Sequence, residues 1–364
     1  MGFAQLLMFS IIICINLPHI KNEVTISVDD LNIPLYAEDK FVIEVRNVNV
    51  SNARLNFVVD NADIVEIIPS SIGVGLVKVR NYVLRAVGKL GGRAEVVAKL
   101  SNGTGLDTVS MTVIVYKKEY LCKVSMMVGW VYFFAWSMSY YPQVRINHLR
   151  QSVIGPHIDY FVFSFLGIAF YALFNVVLYL VKEVQDEYLR RFPGSLIPVR
   201  LNDVLYSVHG TFMSLVIVGQ FIKYEGKTNP PLSITAKVIL GLLTAMFVVM
   251  FLLSAEACIP WLDFLNFCSS AGVMTSLIRF IPQVLANFKH KSVIGVSITT
   301  VIFDIVGGFF STLQMCVDSY NYDDWISVFG NFTKFGLGLS TLLFDGIILL
   351  QYYVLYRDKN YVIH

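Results

Sequence analysis

Two stretches of this chain repeat each other at a fixed offset of 140 residues: Pro142-Gln143-Val144, Asn147 and Ser152-Val153-Ile154-Gly155 return as Pro282-Gln283-Val284, Asn287 and Ser292-Val293-Ile294-Gly295. The register does not slip afterwards, because Ile158, Gly167 and Phe170 return as Ile298, Gly307 and Phe310. Each copy sits where one long apolar segment ends and the next begins, so the repeated unit is a bundle of membrane helices. A helix crosses the hydrocarbon core in about 20 residues. Seven segments of that kind lie near 123–143, 158–181, 203–223, 234–255, 261–284, 297–316 and 335–356. They parse as three, one, three, with helix 4 linking the repeats, and an odd linker leaves both copies pointing the same way across the bilayer.

Composition agrees. With 55% hydrophobic and 15% charged residues, the chain is too apolar for an ordinary soluble protein of its length, and a net charge of +2 gives no reason to expect a nucleic-acid partner. The apolar run Leu6 to Leu17 is short for a span and precedes a soluble-looking region, the pattern of a signal peptide over 1–20. Residues 21–120 then alternate apolar and polar in runs such as Lys40 to Val48, Arg54 to Val59, Gly75 to Arg80, Arg93 to Leu100 and Thr108 to Tyr116. About seven period-two runs separated by Gly, Asn, Asp and Ser suggest a small lumenal β-sandwich. Asn49 and Asn102 head glycosylation sequons within it. The expected fold is an all-α bundle of seven transmembrane helices over 121–358, behind that β-rich domain, with 359–364 as a cytosolic tail.

Loop charges support this orientation in part. Arg145, Arg150, Lys227, Lys289, Lys291, Arg357 and Lys359 fall on the expected cytosolic side, and the far side holds Asp318, Asp323 and Asp324. Loop 2-3 breaks the asymmetry with Lys182, Arg190, Arg191 and Arg200.

Ionisable groups inside a bilayer are costly, about 3 kcal/mol for a carboxylate at a helix centre, so they normally face a bundle interior, a partner or water. Asp304 and Asp345 lie deepest, whereas Asp159, Asp203 and Asp263 stand near helix starts, where capping explains them about as well as function does. A desolvated carboxyl that meets water on both sides in turn can carry a proton. Arg279 and Lys334 are the cations within reach of such a site; snorkelling explains Lys334 equally well. Pro142 and Pro282 each remove a helical hydrogen bond, and Gln143 and Gln283 beside them carry the donor and acceptor to compensate, so the paired kinks read as hinges. No cofactor or metal-ligand spacing is apparent, and no nucleophile, base and orienting group converge, so an enzyme is not expected.

Ser137 to Gln143 with Ser152-Val153-Ile154-Gly155, and Phe280-Ile281-Pro282-Gln283 with Lys291-Ser292, resemble the two motifs of the PQ-loop family. Gly129-Trp130-Val131-Tyr132-Phe133, Phe303-Asp304-Ile305-Val306-Gly307-Gly308 and Thr333-Lys334-Phe335-Gly336 are similar to its lysosomal cystine transporters, a likeness covering roughly 124–358. The resemblance implies export of L-cystine from the lysosome lumen across the lipid bilayer with protons moving the same way, and contacts with lysosomal nutrient-sensing complexes. Carried over, Asp304 is the main proton-coupling residue, assisted by Asp203 and Asp345; Trp136 and Lys334 lie near the substrate path. Asp345 and Arg279 suit the charged ends of cystine, and aromatic residues at the kinks, Tyr141 among them, its apolar middle. The chain departs from the family pattern at Ser164 and Thr300, where Asn is expected, and at Gly272 and Arg279, where Lys is. The alternatives are a PQ-loop exporter of cationic or other amino acids, and a receptor of the same bundle architecture that binds a ligand without moving it.

Overall fold

The computed structural model describes residues 23–27, 29–48, 53–74, 77–100, 109–153, 158–225, 232–293 and 296–357. The expected signal segment, Asn49, Asn102 and the tail lie outside them.

The N-terminal part is a two-sheet sandwich of nine described strands rather than about seven: β1 (Glu23–Ile26), β2 (Asp30–Pro34), β3 (Glu38–Val48), β4 (Ala53–Val59), β5 (Val65–Ile68), β6 (Ser71–Val74), β7 (Val77–Gly88), β8 (Gly92–Leu100) and β9 (Val109–Tyr116). The sheets run β1-β3-β7-β5 and β2-β9-β8-β4-β6, and the β2 to β9 pairing is parallel. Alternation places Ile33, Phe41, Ile43, Leu55, Leu84, Val96, Met111 and Val113 in one core between the sheets. The strands missing from the sequence reading are four or five residues long, too short for a period-two pattern to stand out.

Leu189–Leu196 and Val317–Ser327 form one compact unit with the β domain. Lys117 N–H donates to the Asn321 carbonyl at 2.8 Å, Lys118 N–H to the Asn321 side chain at 2.9 Å, and Arg93 N–H to the Gly194 carbonyl at 3.0 Å. Asp323 pairs with Lys117, while Asp324 accepts from Leu196 N–H at 2.8 Å and Ser327 N–H at 3.0 Å. These two acids therefore fasten loops rather than present a free acidic face. The segments after the second and sixth spans join the β domain, as the even number of crossings before each requires.

The other unit holds the membrane helices. Seven described helices are long and apolar enough to span: Glu119–Arg150, Ile158–Leu180, Leu201–Tyr224, Ile234–Ala255, Trp261–His290, Ile298–Tyr322 and Phe332–Leu355. The fourth is the linker, and only 11% of its apolar window is buried, so it stands outside the packed interior. Pro142 lies within an unbroken helix, whereas the fifth span is interrupted for one residue at Arg279, ahead of Pro282. The seventh span contains two π turns, Thr341–Asp345 and Gln351–Leu355. Such turns are rare and concentrate at functional sites.

Candidate functional site

The repeat is visible as a duplicated chain of side-chain amides. Gln143 Nε2 donates to Asn147 Oδ1 at 2.9 Å, Asn147 Nδ2 to Gln220 Oε1 at 2.9 Å, and Gln220 Nε2 to the Val144 carbonyl at 3.0 Å. In the second copy Gln283 donates to Asn287 at 2.9 Å, Asn287 to Gln351 at 2.9 Å, and Gln351 to the Val284 carbonyl at 3.2 Å. Each chain ties the first helix of a copy to its third. Gln143 also accepts from Ser297 N–H at 3.1 Å, which links the first copy to the start of the sixth helix. The motif glutamines thus hold helices together beside the two prolines. Gln220 and Gln351 escape sequence analysis because a single amide in an apolar span has no local pattern, although its cost in lipid marks it.

Between the copies lies a cavity lined by Trp136, Ser139, Tyr140, Gln143, Tyr160 and Ser164 from the first two helices, Tyr206 and Ser214 from the third, and Arg279, Gln283, Thr300, Asp304, Thr341 and Asp345 from the second copy. The space open to the centres of water molecules is ≈ 60 Å³. That holds roughly four or five waters.

One cation and two acids share this space. Arg279 Nη1 donates to Ser164 Oγ at 3.2 Å, and the guanidinium lies 4.5 Å from the centre of the Phe280 ring and 5.5 Å from that of Tyr160. Among the described residues its Nε has no hydrogen-bond partner, nor has Asp345 Oδ2, on a residue only 1% exposed. Among the described residues, no ion pair within 4.0 Å joins Arg279 to Asp304 or Asp345. Three charged groups therefore face one cavity, two of them, Arg279 and Asp345, with bonding capacity left over. Buried polar groups without partners are rare enough to need an explanation.

Trp136 roofs the cavity. Its Nε1–H donates to the Asp304 carbonyl at 3.0 Å, and its ring stacks on Tyr206 at 4.9 Å. This approach depends on Gly307, where a Cβ would sit 2.6 Å from Trp136 Cγ and 2.7 Å from Nε1. We expect Gly307→Ala to cost about 1–3 kcal/mol by overpacking, read as a lower midpoint of thermal unfolding in detergent. An unchanged midpoint would mean that the helices approach less closely than this.

The other expected site residues fall elsewhere. Tyr141 is 47% exposed and its hydroxyl meets His209 Nε2 at 3.1 Å; one residue turns a helix by about 100°, and Tyr140 takes the cavity position instead. Tyr141 is therefore corrected to an outer-face residue. Lys334 and Asp203 do not line the cavity. They form their own buried pair, with Lys334 Nζ 2.9 Å from Asp203 Oδ1 and 2.7 Å from Gln314 Oε1. Tyr132 OH also donates to Asp203, and Arg200 N–H reaches its other oxygen at 2.9 Å. Lys334 is 4% exposed, so it does not snorkel.

The profile of the PQ loop repeat matches residues 124–183 and 264–324, the same two copies at the same offset. The chain is similar to cystinosin of Drosophila melanogaster, 35% identical over 342 residues that make up 93% of this chain and 86% of that relative. Cystinosin of Bos taurus is 38% identical over 238 residues, 65% of this chain and 64% of its own length. A cystine transporter of Saccharomyces cerevisiae is 26% identical over 257 residues, 65% of this chain and 95% of its own. Among solved structures, domains 4 and 5 of the S-layer protein SbsC align with 26% of this chain at 18% identity and a TM-score of 0.21, an overlap too slight to bear on the fold.

Proposed function

This chain belongs to the cystinosin family of PQ-loop membrane proteins, and from that premise we propose that it carries cystine out of an acidic, lysosome-like lumen with protons moving the same way. The observation that supports this reading is the set of Arg279, Asp304 and Asp345 around one cavity without an ion pair among them. A free α-amino acid presents a carboxylate and an ammonium close together. Arg279 suits the carboxylate, since its guanidinium offers a fork of donors, and an aspartate suits the ammonium. The second aspartate then has no ionic partner within the site. A buried net charge is costly, and one proton removes it. Loading from the acidic side thus brings cystine and a proton together, and release to a neutral side frees both.

The β domain and the loops bound to it face the lumen in this reading, and the C-terminus faces the cytosol. Asp203, held by Lys334, Tyr132 and the Arg200 amide, fastens the third and seventh helices near their N-terminal ends rather than loading the substrate.

The test is uptake of labelled cystine by vesicles bearing the chain, with the lumenal face outward. Uptake is expected to rise as the outer pH falls from neutral to about 5, where carboxyl protonation begins to compete. Uptake independent of pH would remove the proton from the mechanism. Labelled arginine moving in place of cystine would turn the reading to cationic amino acids, for which the spare carboxyl is suited.

A further inference from the structure

Hydroxyl groups line much of the cavity, and most are already committed. Ser139 donates to the Trp136 carbonyl at 2.8 Å, Thr300 to the Ser139 carbonyl at 2.7 Å and Thr341 to the Gly338 carbonyl at 2.9 Å, while Ser164 accepts from Arg279 at 3.2 Å. The Tyr160 hydroxyl differs. Among the described residues it has no hydrogen-bond partner, and it is not sealed in by protein as the unpartnered hydroxyl of Tyr171 is. On a residue that lines the cavity, such a phenol is free to donate to whatever enters.

Its ring is fixed from both copies of the repeat. It packs edge-on against Phe161 of its own helix, with centroids 5.0 Å apart, and against Phe280 of the fifth span at 5.8 Å. It is also shared by the apolar clusters around Val153 in the first copy and Val293 in the second. Arg279 lies between the two rings, its guanidinium 5.5 Å from the centre of Tyr160 and 4.5 Å from that of Phe280. A ring wedged in this way loses rotamer freedom on folding rather than on binding, so its hydroxyl is placed near the guanidinium in advance. The residue at the same register in the second copy is Thr300, whose hydroxyl is already used on the Ser139 carbonyl.

We propose, resting on the transport reading above, that Tyr160 is a substrate-binding residue whose hydroxyl joins Arg279 Nε in receiving the carboxylate of an amino-acid head. A carboxylate has two oxygens and about four acceptor sites, more than one N–H fills. The guanidinium supplies the charge, and the phenol O–H adds a charge-assisted bond, roughly twice as strong as a neutral one. A disulfide diamine without carboxylates forfeits both contacts.

The test is equilibrium binding of labelled cystine to the purified full chain, wild type and Tyr160→Phe, with cystamine, the diamine lacking both carboxylates, as competitor. Phenylalanine keeps the ring on Arg279 and removes the hydroxyl alone. Cystine affinity should fall about tenfold or more, the scale of one hydrogen bond to a charged group. Cystamine should compete at least about tenfold more weakly than cystine in the wild type, and no more weakly in the variant than in the wild type. Unchanged cystine affinity in Tyr160→Phe overturns the proposal and leaves cystine transport standing. An equal loss for both ligands does the same, since the hydroxyl would then serve the ammonium or the fold, and so does a thermal midpoint lowered by about 10 °C or more, which would make the hydroxyl structural. A wild type that binds no cystine overturns the transport reading as well.

Discussion

Asp304→Asn is expected to abolish proton-driven cystine movement while the protein still folds. The amide matches the carboxyl in size but neither takes up nor releases a proton, so pH-dependent flux should fall by roughly a factor of 100 or more, the scale on which a lost proton-transfer group is felt. Folding should survive because the contact that anchors the roof of the cavity uses the backbone: Trp136 Nε1–H bonds to the Asp304 carbonyl, which the substitution leaves in place. The measurement is the proton-coupled current, or cystine flux as a function of pH, beside the thermal midpoint of the purified variant. A current of wild-type size with its pH dependence intact would remove Asp304 from the coupling mechanism. A collapsed midpoint would instead make the residue structural.

Lys334→Met is expected to cause the largest loss of stability of any substitution considered. It leaves Asp203, which is 0% exposed, without the ammonium 2.9 Å away. Breaking a buried pair from one side costs about 3–5 kcal/mol, because the remaining charge stays buried and uncompensated. The thermal midpoint should fall by about 10 °C, at a few degrees per kcal/mol. Adding Asp203→Asn to Lys334→Met removes the orphaned charge and should recover part of the loss. A single variant as stable as the wild type would mean that water reaches the pair. A double variant that is stable and keeps its pH-dependent flux would confirm that Asp203 fastens helices, whereas loss of that dependence would return Asp203 to the coupling machinery.

Seven spans, the duplication and the β-rich domain were all legible in the chain, because hydropathy and strand alternation are local and periodic signals. The span limits agree to within a few residues at most ends, apart from the long overhangs of the first span to Arg150, the fifth to His290 and the sixth to Tyr322. Those extensions are polar, and hydropathy stops where the lipid would, while backbone hydrogen bonding continues. Deep aspartates stood out for the same reason, since an acid in an apolar run needs no structure to be noticed. Partners were not legible. Arg279 inside the fifth span and Lys334 at the entry of the seventh were both cations within reach of the deep acids, yet one lines the cavity and the other is locked to Asp203.

Tyr140 and Tyr141 illustrate the limit most simply, being adjacent, identical and placed on different faces of one helix. Which of them meets the cavity depends on the rotation of the first helix, and that rotation is set by neighbours far away in the chain, such as Gly307 under Trp136 and Ser297 on Gln143. The sequence therefore determined how many helices cross, how they repeat and which residues are too polar to face lipid. Only the tertiary structure decided which polar groups meet, because an offset of 140 aligns the copies but says nothing of the angle at which they pack. The gathering of all cavity charge into the second copy became visible only once the lining of the cavity was known.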